Sequence, residues 1–460
     1  MFGSRSTDDA DAALTRTNGW TVPRRTFLSG VGTAVGMGSL TGSGRAAPNG
    51  TSPRVPEATY YVYRTNDRYL VANSPIAGIE FNEPADRNAE AAFQYAFDNL
   101  PESGGTVVAS PDTFRFGGPA TLGTGTTLVG SDGTRFVGST TGQRDDPLPS
   151  DAQDNPLATG HDIVRLRGDN VAVVGIEFDA DGAQLDNHAV QADGCSGVYI
   201  ANNRTLNGFQ MALSFTGCDD VTVQGNVVDG PNWYGITARG APEGSDIDLK
   251  QSTNVLVTSN RVSDLKFNNI AVYNVRDFAV SQNVVSEGGH SLIACSPSQG
   301  GAIVGNVCRD IDRFGGDPGG EAGIEIEYKR THITDAVAGT PAETSFDITV
   351  AGNHVRNCGV GFISRTVPAD LDDVRVDEAR RNKRPYSFSV TGNTISACRN
   401  AGIRIRSGED AVLATNTLRR NGTDPESADL VNGSGDEAAN IDVNAEYTAG
   451  IQRDLNVVRN

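Results

Sequence analysis

The sequence predicts an all-β chain wound as a parallel β-solenoid of about 23 residues per coil, and three periodic features predict it. First, asparagine recurs at Asn203, Asn226, Asn260, Asn283, Asn306, Asn353, Asn393 and Asn416; four of the seven intervals are 23 residues, and the others are 34, 47 and 40. Second, apolar residues stand five and three places before each asparagine, from Val198/Ile200 and Val221/Val223 to Phe388/Val390 and Ala411/Leu413, with glycine at the first place in Gly301/Ile303. That alternation buries one face of a strand. Third, apolar positions follow two residues after it (Val228, Val262, Val285, Cys308, Val355, Ile395, Leu418) and about ten after it (Leu213, Ile236, Ile270, Ile293, Ile363, Ile403), so each unit holds three short strands. Helical repeats of similar length would need long stretches with a 3.6-residue period, and none occurs. The asparagine is read as a corner whose amide stacks on the amide of the next coil, because a buried amide needs partners at every level.

In chain order, residues 1–47 hold a polar arm and then Pro23-Arg24-Arg25-Thr26-Phe27-Leu28-Ser29, ahead of a small, mildly apolar run from Gly30 to Leu40. Twin arginines followed by phenylalanine and leucine resemble a twin-arginine export signal, with cleavage near Ala46-Ala47. The resemblance implies a secreted or cell-surface protein whose partner during export is the twin-arginine translocase. The apolar run is too short to span a bilayer, and no later segment is apolar enough for a membrane span. In residues 48–84, two strand-like runs between Thr59 and Val71 flank Asn66-Asp67, as in a hairpin. Residues 85–420 form the solenoid. It opens with an amphipathic helix from Asp86 to Leu100 that places Ala89, Phe93, Ala96, Phe97 and Leu100 on one face, with Asp86 as N-cap. Such a helix would cover the open end of the coils. Asp145 to Asp162, rich in Asp, Pro and Gln, is a loop or insertion between early coils. Residues 421–460 read as an acidic tail with one more strand at Asn440 to Asn444.

After the helix come Gly104-Gly105-Thr106-Val107 and Thr127-Leu128-Val129-Gly130. This opening resembles that of the pectate-lyase-like superfamily, over roughly Asp86 to Leu418. The resemblance implies a single-stranded right-handed parallel β-helix with an N-terminal capping helix, a hand that agrees with the general bias of parallel crossovers. It also implies work on polysaccharides, which calcium held by carboxylates often assists. The residue sets of polygalacturonases (Asn-Thr-Asp, Asp-Asp, Gly-His-Gly, Arg-Ile-Lys), the Arg-x-Pro-x-x-Arg of pectate lyases and the Asp-Pro-His-Asp/Glu of alginate epimerases do not occur. The fold transfers, and no catalytic residue does.

Net charge is −19, and only four of 38 basic residues are lysine. Without a basic stripe the chain is no nucleic-acid binder. The acidic, lysine-poor balance resembles proteins of extreme halophiles, where at about 1 M salt the Debye length is only about 3 Å and charge serves solubility. A monomer is expected. Cys195 and Cys218 share one repeat position, and Cys358 and Cys398 another. Adjacent coils stack about 4.8 Å apart, which fits either two disulfides or two columns of buried thiols. No Cys-x-x-Cys pair suggests zinc.

Chemistry belongs on the outward face of the third strand, because inward faces are filled. Its outward positions read Ser214 and Thr216, Thr237 and Arg239, Ala271 and Tyr273, Ala294 and Ser296, Glu325 and Glu327, Ser364 and Thr366, Arg404 and Arg406. Long insertions fall beside this strand and would wall a groove; they add Asp246, Asp248, Lys250, Asp312, Arg313, Lys329, Arg330 and His332, with His290 just before its strand. Two residues apart on a strand, Glu325 and Glu327 have Cα atoms about 6.6–6.8 Å apart, which suits the acid–base pair of an inverting glycosidase. Alternatively Arg239, Arg404 and Arg406, with His290 and Lys250, hold uronate carboxylates while Tyr273 or Lys329 removes the neighbouring proton in a β-elimination. Asp246 and Asp248 are the candidate calcium ligands. Tyr273 and Glu327 are expected roughly 10 Å apart, solvent-facing along the groove. Two functions fit: an enzyme cleaving an acidic polysaccharide by elimination or hydrolysis, or a surface protein that binds glycans through the same groove without turnover.

Overall fold

The computed structural model describes residues 58–73, 78–85, 89–138, 162–180, 185–230, 233–241, 247, 251–311, 322–329, 332, 338–367, 382–423, 439–444 and 446–459. Each repeat supplies one strand before its asparagine, one just after it and one about ten residues on, as in Ser196–Ala201, Arg204–Leu206 and Phe209–Thr216. Like strands of successive coils pair in parallel, Val198 opposite Val221 and Val221 opposite Val255. Among the described residues the strands lie in three sheets of 16, 12 and 11, the first extended at its N-terminal edge by antiparallel strands. The chain is a right-handed parallel β-helix, and the apolar columns of all three sheets meet in one continuous core.

The asparagine column runs as expected through all eight positions and continues to Asn456. At Asn226, for example, Oδ1 accepts from the backbone N–H (2.9 Å) and Nδ2 (3.1 Å) of Asn203, while Nδ2 donates to the Ile200 carbonyl at 3.0 Å. The residue before each asparagine has positive φ, from 49° at Leu455 to 67° at Gly305. This left-handed residue turns the chain out of the first sheet, and the asparagine then satisfies groups that the turn leaves unpaired.

At the N-terminal end, helix α1 (Ala89–Asp98) buries Ala89, Ala92, Phe93, Ala96 and Phe97. Phe93 packs on Phe114, Phe116 and Phe136 with ring centroids 5.1, 5.6 and 4.8 Å away. Gln94 pairs with the Thr121 backbone through both its amide atoms, and Glu90 accepts from Gly117 N–H. The helix therefore seals the core and also satisfies backbone at the edge of the coils. Asp86, the expected N-cap, lies outside the described residues. The hairpin is present as Ala58–Thr65 and Arg68–Ala72, joined by a third antiparallel strand, Ile79–Pro84, that the sequence did not announce.

One expectation is corrected, and one alternative is decided. The coils continue beyond residue 420: Ala439–Val443, Gln452–Asp454 and Val457–Arg459 pair onto all three sheets. Their apolar columns are short and broken, so the repeat fades in sequence before it fades in structure. All six cysteines are free and buried; Cys195 Sγ donates to Leu166 O and Cys218 Sγ to Ala192 O, making columns of thiols in place of disulfides.

Replacing Asn283 by Ala removes its bonds to Asn260 N, Asn260 Nδ2 and Val257 O, leaving the buried Asn260 N–H orphaned and the Val257 carbonyl short of a donor. We expect a loss of about 2–4 kcal/mol, against about 1 kcal/mol for Asn456→Ala at the half-buried last rung. Denaturation midpoints check this; equal, small effects at both rungs would show that the ladder is incidental.

Candidate functional site

The outward face of the third sheet gathers polar residues by stacking one from each coil. One column runs Gln191, Ser214, Thr237, Ala271, Ala294, Glu325, Ile363, Arg404. Beside it, Thr216 stands opposite Arg239, Arg239 opposite Tyr273, Tyr273 opposite Ser296, and Glu327 opposite Arg365. Tyr273 and Glu327 are thus two coils apart, as expected. The coil of Ile363 corrects the sequence register. Phe362 takes the inward place opposite Ile324 and Ile403, so Ile363 and Arg365 face outward where Ser364 and Thr366 were expected. A one-residue slip exchanges faces, and consecutive Phe362-Ile363 fits either register. Glycine decides it: Gly323, Gly361 and Gly402 each precede the inward residue, and a Cβ on Gly361 would lie 2.5 Å from the Gly402 carbonyl oxygen.

Glu325 and Glu327 are not solvent-facing; they are 0% and 2% exposed. Glu325 accepts from Arg365 Nε through Oε1 and from Ser291 Oγ through Oε2 at 2.6 Å, with His290 Nδ1 3.9 Å away. Burial raises its pKa, but Arg365, His290 and the Ser291 hydrogen bond outweigh that and hold the carboxyl below its ordinary range. Glu327 has the opposite fate. Burial first, then the charge of Glu325, push it up to about 7. Arg365 stands between the two carboxyls: its Nε donates to Glu325 Oε1 and lies 3.5 Å from Glu327 Oε2. Both are buried and share the Arg365 guanidinium, so they do not present the open, separated pair between which an inverting glycosidase seats a water and a sugar.

Next to this pair, the His332 ring stacks on Tyr273 with centroids 4.0 Å apart. His332 Nδ1 lies 3.2 Å from Ser296 Oγ and 3.8 Å from Glu327 Oε1. Burial, then Lys329, His290 and Arg239, press the imidazole well below its ordinary pKa, so it is neutral near pH 7. Burial, Tyr234 and Glu327 push the Tyr273 phenol well above 10. Tyr273 therefore keeps its proton and cannot serve as the base that the sequence suggested; its Oη accepts from Asn268 Nδ2. Asn268 also binds His290 Nδ1 at 3.1 Å, and Lys329 Nζ sits 5.8 Å above the Phe267 ring. Arg239 and Lys329 are half-buried, and Arg239 Nε donates to Thr216 Oγ1 at 3.2 Å.

Of the sequence-predicted residues, the structure brings together Tyr273, His290, Glu325, Glu327, Lys329 and Arg239. Arg404 is instead fully buried and pairs with Asp442 at 3.0 Å, a structural role on a later coil. Arg406 is buried as well, two coils beyond Glu327 and not solvent-facing. Asp246, Asp248, Lys250, Asp312, Arg313 and Arg330 lie outside the described residues, as do Arg24 and Arg25. Among the described residues no three His, Cys, Asp or Glu side chains converge as a metal site. Arg365, Asn268 and Ser291 were missed; the glycine register would have found Arg365.

Residues 162–336 match the family described as a right-handed beta helix region. No curated protein matches the chain. Among solved structures, the Agl-KA catalytic domain is similar at 12% identity and a TM-score of 0.53, covering 81% of this chain and 64% of its own. DFA-IIIase from Arthrobacter chlorophenolicus A6, in the form without its lid, is similar at 14% identity and a TM-score of 0.51, covering 82% and 96%. At such identities the likeness concerns the fold.

Because the folded pKa of Glu327 stands at about 7, above its ordinary 4.5, the native state holds a proton that the unfolded chain releases. That stabilisation is complete below about pH 4.5 and is lost as pH rises through 7. Glu325, shifted down, acts with opposite sign only in the acid range below its ordinary value. Wild type should lose about 2–3 kcal/mol between pH 5 and pH 8 that Glu327→Gln retains. Parallel stability curves for the two proteins would refute the assignment.

Proposed function

We propose that the chain is an exported enzyme that cleaves an acidic polysaccharide by β-elimination. The observation that carries this reading is a neutral imidazole, His332, stacked on a protonated phenol, Tyr273, with the cations Lys329 and Arg239 alongside. Elimination needs those parts. A uronate carboxylate facing Lys329 and Arg239 has its charge offset, which acidifies the C5–H bond. His332 takes the C5 proton, the C4–O bond breaks as the C4=C5 double bond forms, and Tyr273 gives its proton to the departing oxygen. Glu327, protonated below about pH 7 beside His332, can then receive or return a proton. Burial of Glu325 and Glu327 against one shared guanidinium favours this route over hydrolysis by a separated pair.

Polyuronates and neutral polysaccharides should be offered to the mature protein in molar salt, with and without calcium. Unsaturated products absorbing near the ultraviolet edge are expected from a polyuronate. His332→Ala, Tyr273→Phe and Glu327→Gln should each lower the rate by about 10²-fold or more. Binding of a polyuronate with no product under any condition would sink the elimination reading and leave a glycan-binding protein. Export is tested separately: Lys at positions 24 and 25 should hold precursor in the cytoplasm, and unchanged secretion would count against the twin-arginine route.

A further inference from the structure

Upstream of the carboxylate pair, five buried polar atoms without a hydrogen-bond partner stand on three adjacent strands of the same sheet: His188 Nε2, Gln191 Oε1, Gln210 Oε1, Ser214 Oγ and Thr237 Oγ1. Their residues are 6% exposed or less. Gln191, Ser214 and Thr237 are successive members of the outward column that leads to Glu325. Gln210 heads the neighbouring row, its carbonyl accepting from Trp233, that of Trp233 from Phe267, and that of Phe267 from His290. The rings of this row pack tilted against one another, Trp233 on Phe267 at 5.6 Å and Phe267 on His290 at 4.5 Å between centroids. Buried polar groups are nearly always paired in native proteins, so five orphans on three neighbouring strands call for a ligand.

The chemistry of the ligand follows from what remains open. The backbone N–H and Nδ1 of His188 both donate to Asp162 Oδ1, at 3.2 and 2.7 Å, while Arg165 Nε donates to Oδ2 at 2.7 Å. Against the penalty of burial, His188 and Arg165 keep Asp162 ionised. The carboxylate holds a proton on Nδ1 and leaves Nε2 open. Gln191 directs its amide N–H groups to Asp193 and Thr216, leaving its carbonyl. The open set is therefore two amide carbonyls, two hydroxyls and one imidazole nitrogen. A carboxylate, sulfate or phosphate would face the two carbonyls and the ionised Asp162 behind His188, whereas the hydroxyls of a neutral sugar both donate to the carbonyls and accept from the Ser214 and Thr237 hydroxyls. Trp233, 38% exposed beside them, offers an aromatic face to the C–H side of a pyranose ring.

We propose that this cluster is a subsite for a neutral sugar residue. Thr237 and the cation Arg239 share one strand, two residues apart, so the neutral residue abuts the uronate position; the substrate is then a heteropolysaccharide that joins a neutral sugar to a uronic acid. The placement within a substrate rests on the elimination reading, while binding at the subsite is measurable without turnover.

The test titrates the full-length protein with neutral β-1,4-linked pentasaccharides of glucose, mannose, galactose or xylose, reading calorimetric heat and the emission of its two tryptophans, Trp20 and Trp233. At least one pentasaccharide should bind and change the emission, and Trp233→Ala should remove that change. The double variant Ser214→Ala, Thr237→Val should weaken binding about tenfold or more with an unchanged or higher Tm, since those hydroxyls have no internal partner to lose. Binding of the neutral pentasaccharide is read without any turnover, so a failed elimination reading stays distinguishable. The proposal falls if no neutral pentasaccharide binds wild type, if the double variant binds as tightly, or if its Tm drops, which would mean the hydroxyls serve the fold.

Discussion

A buried amide that must find partners at every level is the constraint on which this molecule depends. The asparagine corner fixes where each coil leaves the first sheet, and successive corners bonded to one another fix the register between coils. Once register is fixed, inward residues stack into one core, and outward residues become columns as well. A site can then be assembled from single residues contributed by coils that are far apart in sequence. Ser291, Glu325 and Arg365 meet in this way, with 34 and 40 residues separating the pairs that bond. Insertions such as those between Asn306 and Asn353 enlarge a loop without disturbing the columns, because the corner resets the register afterwards.

The third-sheet face divides by charge. Around Glu325 and Glu327 lie one ionised carboxylate, one protonated carboxyl and the guanidinium of Arg365, a nearly self-neutralised core within which His332 and Tyr273 hold complementary protonation states. Burying such charges is tolerable because each has a hydrogen-bonded or ionic partner. Upstream, around Gln191 and Ser214, the face carries dipoles in place of charges, and these dipoles are unsatisfied. The two regions meet at Thr237 and Arg239.

The fold was legible in the sequence because its determinants are local and repeated. Asn226, Val221 and Val228 state the same corner and strands that Asn260, Val255 and Val262 state one coil later. Helix α1 was legible from the period of Ala89, Phe93 and Ala96. The site was legible in outline only. Alternation placed Tyr273, Glu325 and Glu327 on one face, but it carries no information on what lies above that face, and all three proved buried. It also misplaced Arg365, because two consecutive apolar residues suit either parity. The role of Arg404 was hidden for another reason: its partner Asp442 belongs to a last coil whose own repeat signal is faint. Protonation depends on three-dimensional neighbours, so the exchange of roles between Glu325 and Glu327 could not be read from their identical chemistry.

The asparagine ladder has a direction. Every side-chain bond that Asn283 makes to another coil's backbone or accepts at Oδ1 reaches back to Asn260 and Val257, and its own N–H groups are received by Asn306 ahead. Truncating one rung therefore strips the backbone N–H of the asparagine before it of its acceptor, while the following rung's Oδ1 still accepts from the backbone N–H at the truncated position. Since an orphaned buried donor is more damaging than an acceptor that keeps one of its bonds, a fault spreads toward the N-terminal side of the lesion, toward the sealed aromatic end. The solenoid thus behaves as a zipper with a polarity, in which the position of a defect decides which part of the protein it loosens.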